Sequence, residues 1–430
     1  NRSEYIFMIA ICVFIIDKSL FWWYNILTAK ICPYERKHKM SEIKPQNAGL
    51  LLGRGLEFFH HDSEPEWGYA KPQRDTFAVL HPENEQAGGK YPLYVVFHSA
   101  GHDVYSCIGC TWAKGNHDIY HAPAGMFALY LDCRANSLTG TDWWWGGIDA
   151  HGGGDPAKGG QSLQPVEKRV MATIDWVMEN YPIDRERVYA VGNSMGGSGA
   201  LGIAMRRGDI FAAVKVNVPA GVRHFADRCG LDGEAPETLP EMPLLVDYSA
   251  QNDGWSEGHG ILYRGMREKK YALIGYWGNF GHANNNEVME KENDLIHSFD
   301  IFTVKKNEAY PVFTNASTDD ADPWEQDIKS TAAGQVNSFF RWRVLEDSAD
   351  IFRIELRLLR QDEWKSRVEF PLESTADVSL RRLQRFAKEG DLSWSFGGAG
   401  GKAEVAPDGR VDIGRLTITT GPVELTLKHN

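Results

Sequence analysis

Six short apolar runs, each closed by turn residues, constrain this fold more than any other feature of the chain. They are YPLYVVF (91–97), MFALYLD (126–132), RVYAVG (187–192), AAVKVNV (212–218), PLLVDYS (243–249) and ALIGYWG (272–278). Continuous apolar runs of this length read as strands buried on both faces. Between the second and third, Pro165 to Tyr181 sets Val166, Val170, Ile174 and Val177 at helical spacing, with proline near its start. Met195 to Arg207 reads as another helix, stopped by Gly208. Strands alternating with helices need crossover connections, and so a mostly parallel sheet. The expected class is α/β.

At 430 residues the chain is too long for one typical domain. After residue 305 the texture changes to NASTDDADPWEQD, polar and turn-rich, and then to short alternating runs such as FFRWRVLED, IFRIELRLL and VELTLKH. APDGR between two such runs is a hairpin signal. The expected division is an apolar lead-in (1–48), an α/β domain (49–305), a linker (306–334) and an antiparallel β-sandwich (335–430). The lead-in carries a run from Tyr5 to Ile16, short for a membrane span and suited to an export signal or anchor. That points to a secreted, periplasmic or cell-envelope protein, with membrane contact only through this segment. A formal charge of −12 argues against nucleic acid as a partner.

Gly192-Asn193-Ser194-Met195-Gly196 lies where strand gives way to helix, and matches G-x-S-x-G. Glycines flank the serine because a nucleophile on so tight a turn leaves no room for neighbouring side chains. The bland alternative is an N-cap serine on an ordinary turn. A hydroxyl reacts only if a base takes its proton, and this strand–turn–helix orders the partners as serine, acid, histidine. Five histidines follow Ser194: His224, His259, His282, His297 and His429. His282 stands in the loop GNFGHANNN after an apolar strand, where parallel sheets present catalytic groups. His259 in SEGHG is its rival. Asp253 lies in the loop after PLLVDYS, whereas Asp247 lies inside that strand and reads as structural; Glu257 is the fallback acid. The expected triad is Ser194, Asp253 and His282. The oxyanion donors expected are the amides of Met195 and of Ser99 or Ala100, the latter two in FHSAGHD after the first apolar strand. His98 in that loop reads as structural.

The stretches YPLYVVFHSAG, IDWVMENYPIDRERVYAVGNSMGG, DYSAQNDGWS and GNFGH resemble the α/β-hydrolase family over about residues 74–300. Within it the chain is similar to secreted feruloyl esterases, acetylxylan esterases and polyhydroxybutyrate depolymerases. The resemblance implies a serine esterase that cleaves an ester of an acylated carbohydrate, with no metal and no diffusible cofactor. The early loop departs from the family by reading His-Ser-Ala-Gly in place of His-Gly. A serine peptidase uses the same triad, and a non-catalytic surface-binding module with a relic elbow is the reading from another class.

Trp143, Trp144 and Trp145 precede a glycine-rich loop and could wall the active site against a sugar or phenolic group, with Asn193 as a further substrate contact; core packing is the alternative. Cys107-x2-Cys110 followed by His117-x3-His121 has a zinc-site flavour, but the spacer is short, so a disulfide or buried thiols are favoured. Trp342, Trp364 and Trp394 in the C-terminal region could bind carbohydrate if exposed, though packing within so small a domain is the better expectation.

Overall fold

The computed structural model describes residues 40, 43–69, 72–110, 115–133, 144, 163–233, 240–282, 286–324, 331–386, 388 and 390–429. The N-terminal apolar run, Trp143 and Trp145 lie outside the described residues. Among those described, no helix is long and apolar enough to cross a membrane.

Strands β1 (Pro45–Leu51), β2 (Arg54–Asp62), β3 (Arg74–Leu80), β4 (Tyr91–Phe97), β5 (Phe127–Leu131), β6 (Ile183–Asn193), β7 (Ala213–Asn217), β8 (Leu244–Ala250) and β9 (Leu273–Gly278) belong to the first sheet. After β10 (Tyr310–Thr314), which joins the second sheet, β11 (Gly334–Val336) completes it in the order β1-β2-β3-β5-β4-β6-β7-β8-β9-β11. From β5 to β9 every neighbouring pair is parallel. All six apolar runs became strands of this parallel core, and β4, β5, β8 and β9 are buried almost end to end. That is what helices covering both faces of a sheet require.

The antiparallel lead-in β1–β3 was not expected as sheet, and β1 opens inside the span read as lead-in. In β2, RGLEFFHHD, polar and aromatic residues share the burial pattern, which hides the alternation that would mark a strand. Among the described residues the α-helices are α1 (Val104–Gly109), α2 (Pro165–Asn180), α3 (Met195–Gly199), α4 (Val222–Arg228), α5 (His259–Glu268) and α6 (Asn286–Glu292). The helix expected over 195–207 is α3 followed by a π-turn, Ala200–Ala204.

The second sheet is wholly antiparallel: β12 (Phe340–Asp347), β13 (Ile351–Leu358), β14 (Glu373–Arg381), β15 (Leu392–Phe396), β16 (Ala399–Val405), β17 (Val411–Thr419) and β18 (Val423–His429), with β10 at one end. Strand β16 pairs first with β15 and then with β17, carrying the sheet round a corner. The sheet's two ends meet where Phe313 of β10 stacks on Phe340 of β12, ring centres 4.0 Å apart. Alternate residues of β13 point inward, the half-buried pattern expected of an antiparallel strand with one face on a core.

The span 306–334 is not a free linker. It supplies β10, and Trp324 stacks on His259 at 4.9 Å. The polar texture of NASTDDADPWEQD masks a short apolar strand, YPVFT, just before it. The buried Arg381 ties the two sheets together, reaching the carbonyls of Lys269 and Lys270 and the carboxylates of Glu241 and Asp408. Trp342 stacks on Phe299 and Trp364 donates to the Asp294 carbonyl, so both serve packing rather than an open binding face.

Candidate active site

Ser194 sits between β6 and α3 with φ +56° and ψ −120°, in the left-handed half of backbone space. Such a conformation costs a side-chain-bearing residue about 1–3 kcal/mol and persists only where surroundings impose it. Here its amide donates to the Asn217 carbonyl at the end of β7, and its carbonyl accepts from Ala220. A β-carbon on Gly192 would run into the Gly196 carbonyl, and one on Gly196 into the Phe97 carbonyl. The two glycines of the pentapeptide are therefore steric requirements of the turn.

The histidine and acid arrive from the ends of β9 and β8. His282 Nε2 lies 2.9 Å from Ser194 Oγ, and its Nδ1 lies 2.6 Å from Asp253 Oδ2. Asp253 is oriented by the Trp255 amide, which donates to Oδ1. The two loops are also joined to one another, because the Gly281 amide donates to Asn252 Oδ1. His282 is one-third exposed while the Asp253 carboxylate is buried. A relay so placed can move the serine proton at a surface that substrate can reach.

The rival histidine has another role. His259 is fully buried, with Nε2 2.7 Å from Ser249 Oγ and 3.6 Å from Asp247 Oδ1, and Nδ1 donating to the Ser256 carbonyl. Burial opposes its charge, but the Asp247 carboxylate and the Ser256 carbonyl outweigh that and raise its pKa. His297 is exposed and faces Lys215 and Asp118 instead; desolvation, then the Lys215 ammonium, hold it down to about 3. Glu257 is exposed and takes no part in the relay.

The early loop corrects part of the expectation. The Ser99 amide is taken by the Tyr120 hydroxyl at 2.8 Å, so it does not face the reaction centre. Ser99 Oγ donates to the Asn193 carbonyl and accepts from the Asn193 carboxamide, which clamps the loop to the residue before the nucleophile. Ser99 and Asn193 are thus positioning residues, not oxyanion donor and substrate contact. Ala100 is exposed beyond Ser99, and Met195 follows Ser194 as the first residue of α3. His98 is structural: it is fully buried and faces Cys133 and Asp132.

Trp144 is no open wall. It is fully buried, donates to the His98 carbonyl at 3.0 Å and packs edge-on against Phe97 and His98. It braces the early loop from beneath. Sequence reasoning missed Tyr120, whose hydroxyl holds Ser99; nothing in GNHDIY distinguishes that tyrosine before the fold carries it to residue 99. Behind Tyr120, burial, then His102 and His282, lower the pKa of His117 to about 4.

Residues 171–227, from within α2 through the elbow to α4, match the family model described as "Putative esterase". No curated protein matches the chain. Among solved structures, the chain is similar to an S-formylglutathione hydrolase from Agrobacterium tumefaciens, at 16% identity over 60% of this chain and 98% of that one, with TM-score 0.41. It is also similar to a ferulic acid esterase from Anaeromyces mucronatus, at 16% identity over 58% and 93%, with TM-score 0.35. The esterase segment thus lies over the elbow, where a strained serine stands at the end of a central parallel strand and later strand ends deliver first an acid and then a histidine.

Proposed function

We propose that Ser194, His282 and Asp253 are the catalytic triad and that the substrate is an ester of an acylated carbohydrate, acetyl or feruloyl. The observation that carries the triad is the 2.9 Å approach of His282 Nε2 to Ser194 Oγ while Asp253 holds the other ring nitrogen. In this reading Oγ attacks the ester carbonyl as the imidazole takes its proton. The imidazolium then protonates the departing alkoxide, leaving an acyl-enzyme. Asp253 fixes the tautomer and stabilises the imidazolium. The Met195 and Ala100 amides hold the oxyanion. Water attacks the acyl-enzyme by the same route, releasing the acid and restoring Ser194.

The carbohydrate reading draws on the motif resemblance and on Trp255. This ring is 58% exposed and stands two residues beyond Asp253, where a sugar or phenolic acyl group could stack. The apolar run Tyr5–Ile16 favours export, which would bring the enzyme to polysaccharide outside the cell.

The test is hydrolysis of acetyl, butyryl, octanoyl and feruloyl esters of aryl and sugar alcohols by the native chain and by Ser194→Ala. The expected result is turnover of acetyl or feruloyl sugar esters that falls at least about a thousandfold in the variant. Preference for octanoyl esters would overturn the carbohydrate reading alone. No ester turnover by the native chain would overturn both parts and promote a peptidase.

A further inference from the structure

The zinc-like spacing noted in the sequence resolves into a different set of residues. Cys107 is fully buried and His121 is exposed on the next segment, while Cys107 and Cys110 are both free thiols. Folding instead brings His102, from the early loop, to Cys110 at the end of α1 and His117 on the 3₁₀ turn Gly115–Tyr120. One donor atom from each lies within 4.8 Å of the other two, and Cys110 Sγ is 3.8 Å from His102 Nδ1.

We infer that His102, Cys110 and His117 form a binding site for a single soft divalent cation of the zinc type. Bonds of about 2.3 Å to sulfur and 2.0–2.1 Å to nitrogen put neighbouring donors of a tetrahedral site about 3.3–3.8 Å apart. The cluster is within side-chain rotation of that spacing. The two imidazoles are inclined at 64° with ring centres 4.9 Å apart, so they are not stacked face to face. A thiolate with two imidazoles suits zinc, cobalt or copper and disfavours magnesium or calcium. All three side chains are half-buried, which leaves the fourth position to water.

The placement says what such an ion would do. His102 follows the loop of Ser99 and Ala100, and the His117 ring stacks on Tyr120, whose hydroxyl holds the Ser99 amide. An ion bridging His102 and His117 would fasten both sides of that clamp and stiffen the loop beside the reaction centre.

The full-length chain, reduced and stripped with a chelator, is titrated with Co²⁺ while the thiolate-to-cobalt charge-transfer band is followed; Zn²⁺ is then added. One equivalent should saturate the band and Zn²⁺ should displace it. Cys110→Ser should abolish it, and His117→Ala should weaken binding at least tenfold. Absence of the band, or a band unchanged in Cys110→Ser, overturns the site. Should that variant not fold, the native chain decides: Zn²⁺ should protect Cys110 from iodoacetamide as read by mass spectrometry, and equal alkylation with and without Zn²⁺ overturns the inference.

Discussion

The molecule holds two serine–histidine–aspartate groupings, the second drawn from residues that lie between Ser194 and His282 in sequence, and only the first leaves its histidine open to solvent. In Ser194–His282–Asp253 the carboxylate is spent on the imidazole and on one amide, the imidazole is one-third exposed, and the serine sits in a strained turn with its hydroxyl offered to the ring. In Ser249–His259–Asp247 the serine lies in a regular strand, its hydroxyl donates straight to the carboxylate, and Tyr263 caps the same carboxylate. No substrate reaches the second set, since His259 and Asp247 are wholly buried. The residue types are the same. What separates the two is access, and whether the hydroxyl gives its proton to a carboxylate or faces an imidazole.

The comparison breaks most sharply on the histidines. His282→Ala should lower kcat by about 10⁴-fold or more with little change in Tm, whereas His259→Ala should keep kcat within about tenfold and lose Tm. Steady-state kinetics and thermal unfolding on both variants check this, and a folded His259→Ala protein without activity would reverse the assignment. The acids sharpen it next. Asp253→Asn should cost about 10³–10⁴ in kcat through the wrong tautomer. Asp247→Asn should instead cost about 1–3 kcal/mol of stability, because it removes the carboxylate that the buried Ser249, Tyr263 and His259 share; denaturant titration measures that difference.

Smaller effects follow at the edges of the two sets. Tyr120→Phe removes the acceptor of the Ser99 amide and should lower kcat about tenfold with KM nearly unchanged, as expected of a residue that positions the loop without touching substrate. The smallest is a pH effect. The raised pKa of His259 means its proton stabilises the fold fully below the unfolded histidine value of about 6.5, and that contribution is lost as pH rises through the folded value. The Tm gap between the native chain and His259→Gln should therefore be wider at pH 6 than at pH 9, and a gap that widens with pH would contradict the raised pKa.

Much of the parallel-sheet region was legible because its signals are local. Six apolar runs of two-sided burial can only be interior strands, and glycines at 192 and 196 leave a serine turn few other shapes. The antiparallel lead-in β1–β3 and strand β10 were not legible, since mixed polar and aromatic residues blur their period and their partners lie far along the chain.

By itself, then, the chain's sequence determined the parallel core, the elbow and the order serine, acid, histidine, because backbone sterics and strand periodicity act between near neighbours. Tertiary structure alone decided that Trp144 braces the early loop instead of walling the pocket, and that Tyr120 takes the Ser99 amide. Those outcomes depend on burial and on contacts between distant segments, and neither quantity exists until the sheet has brought its strand ends together.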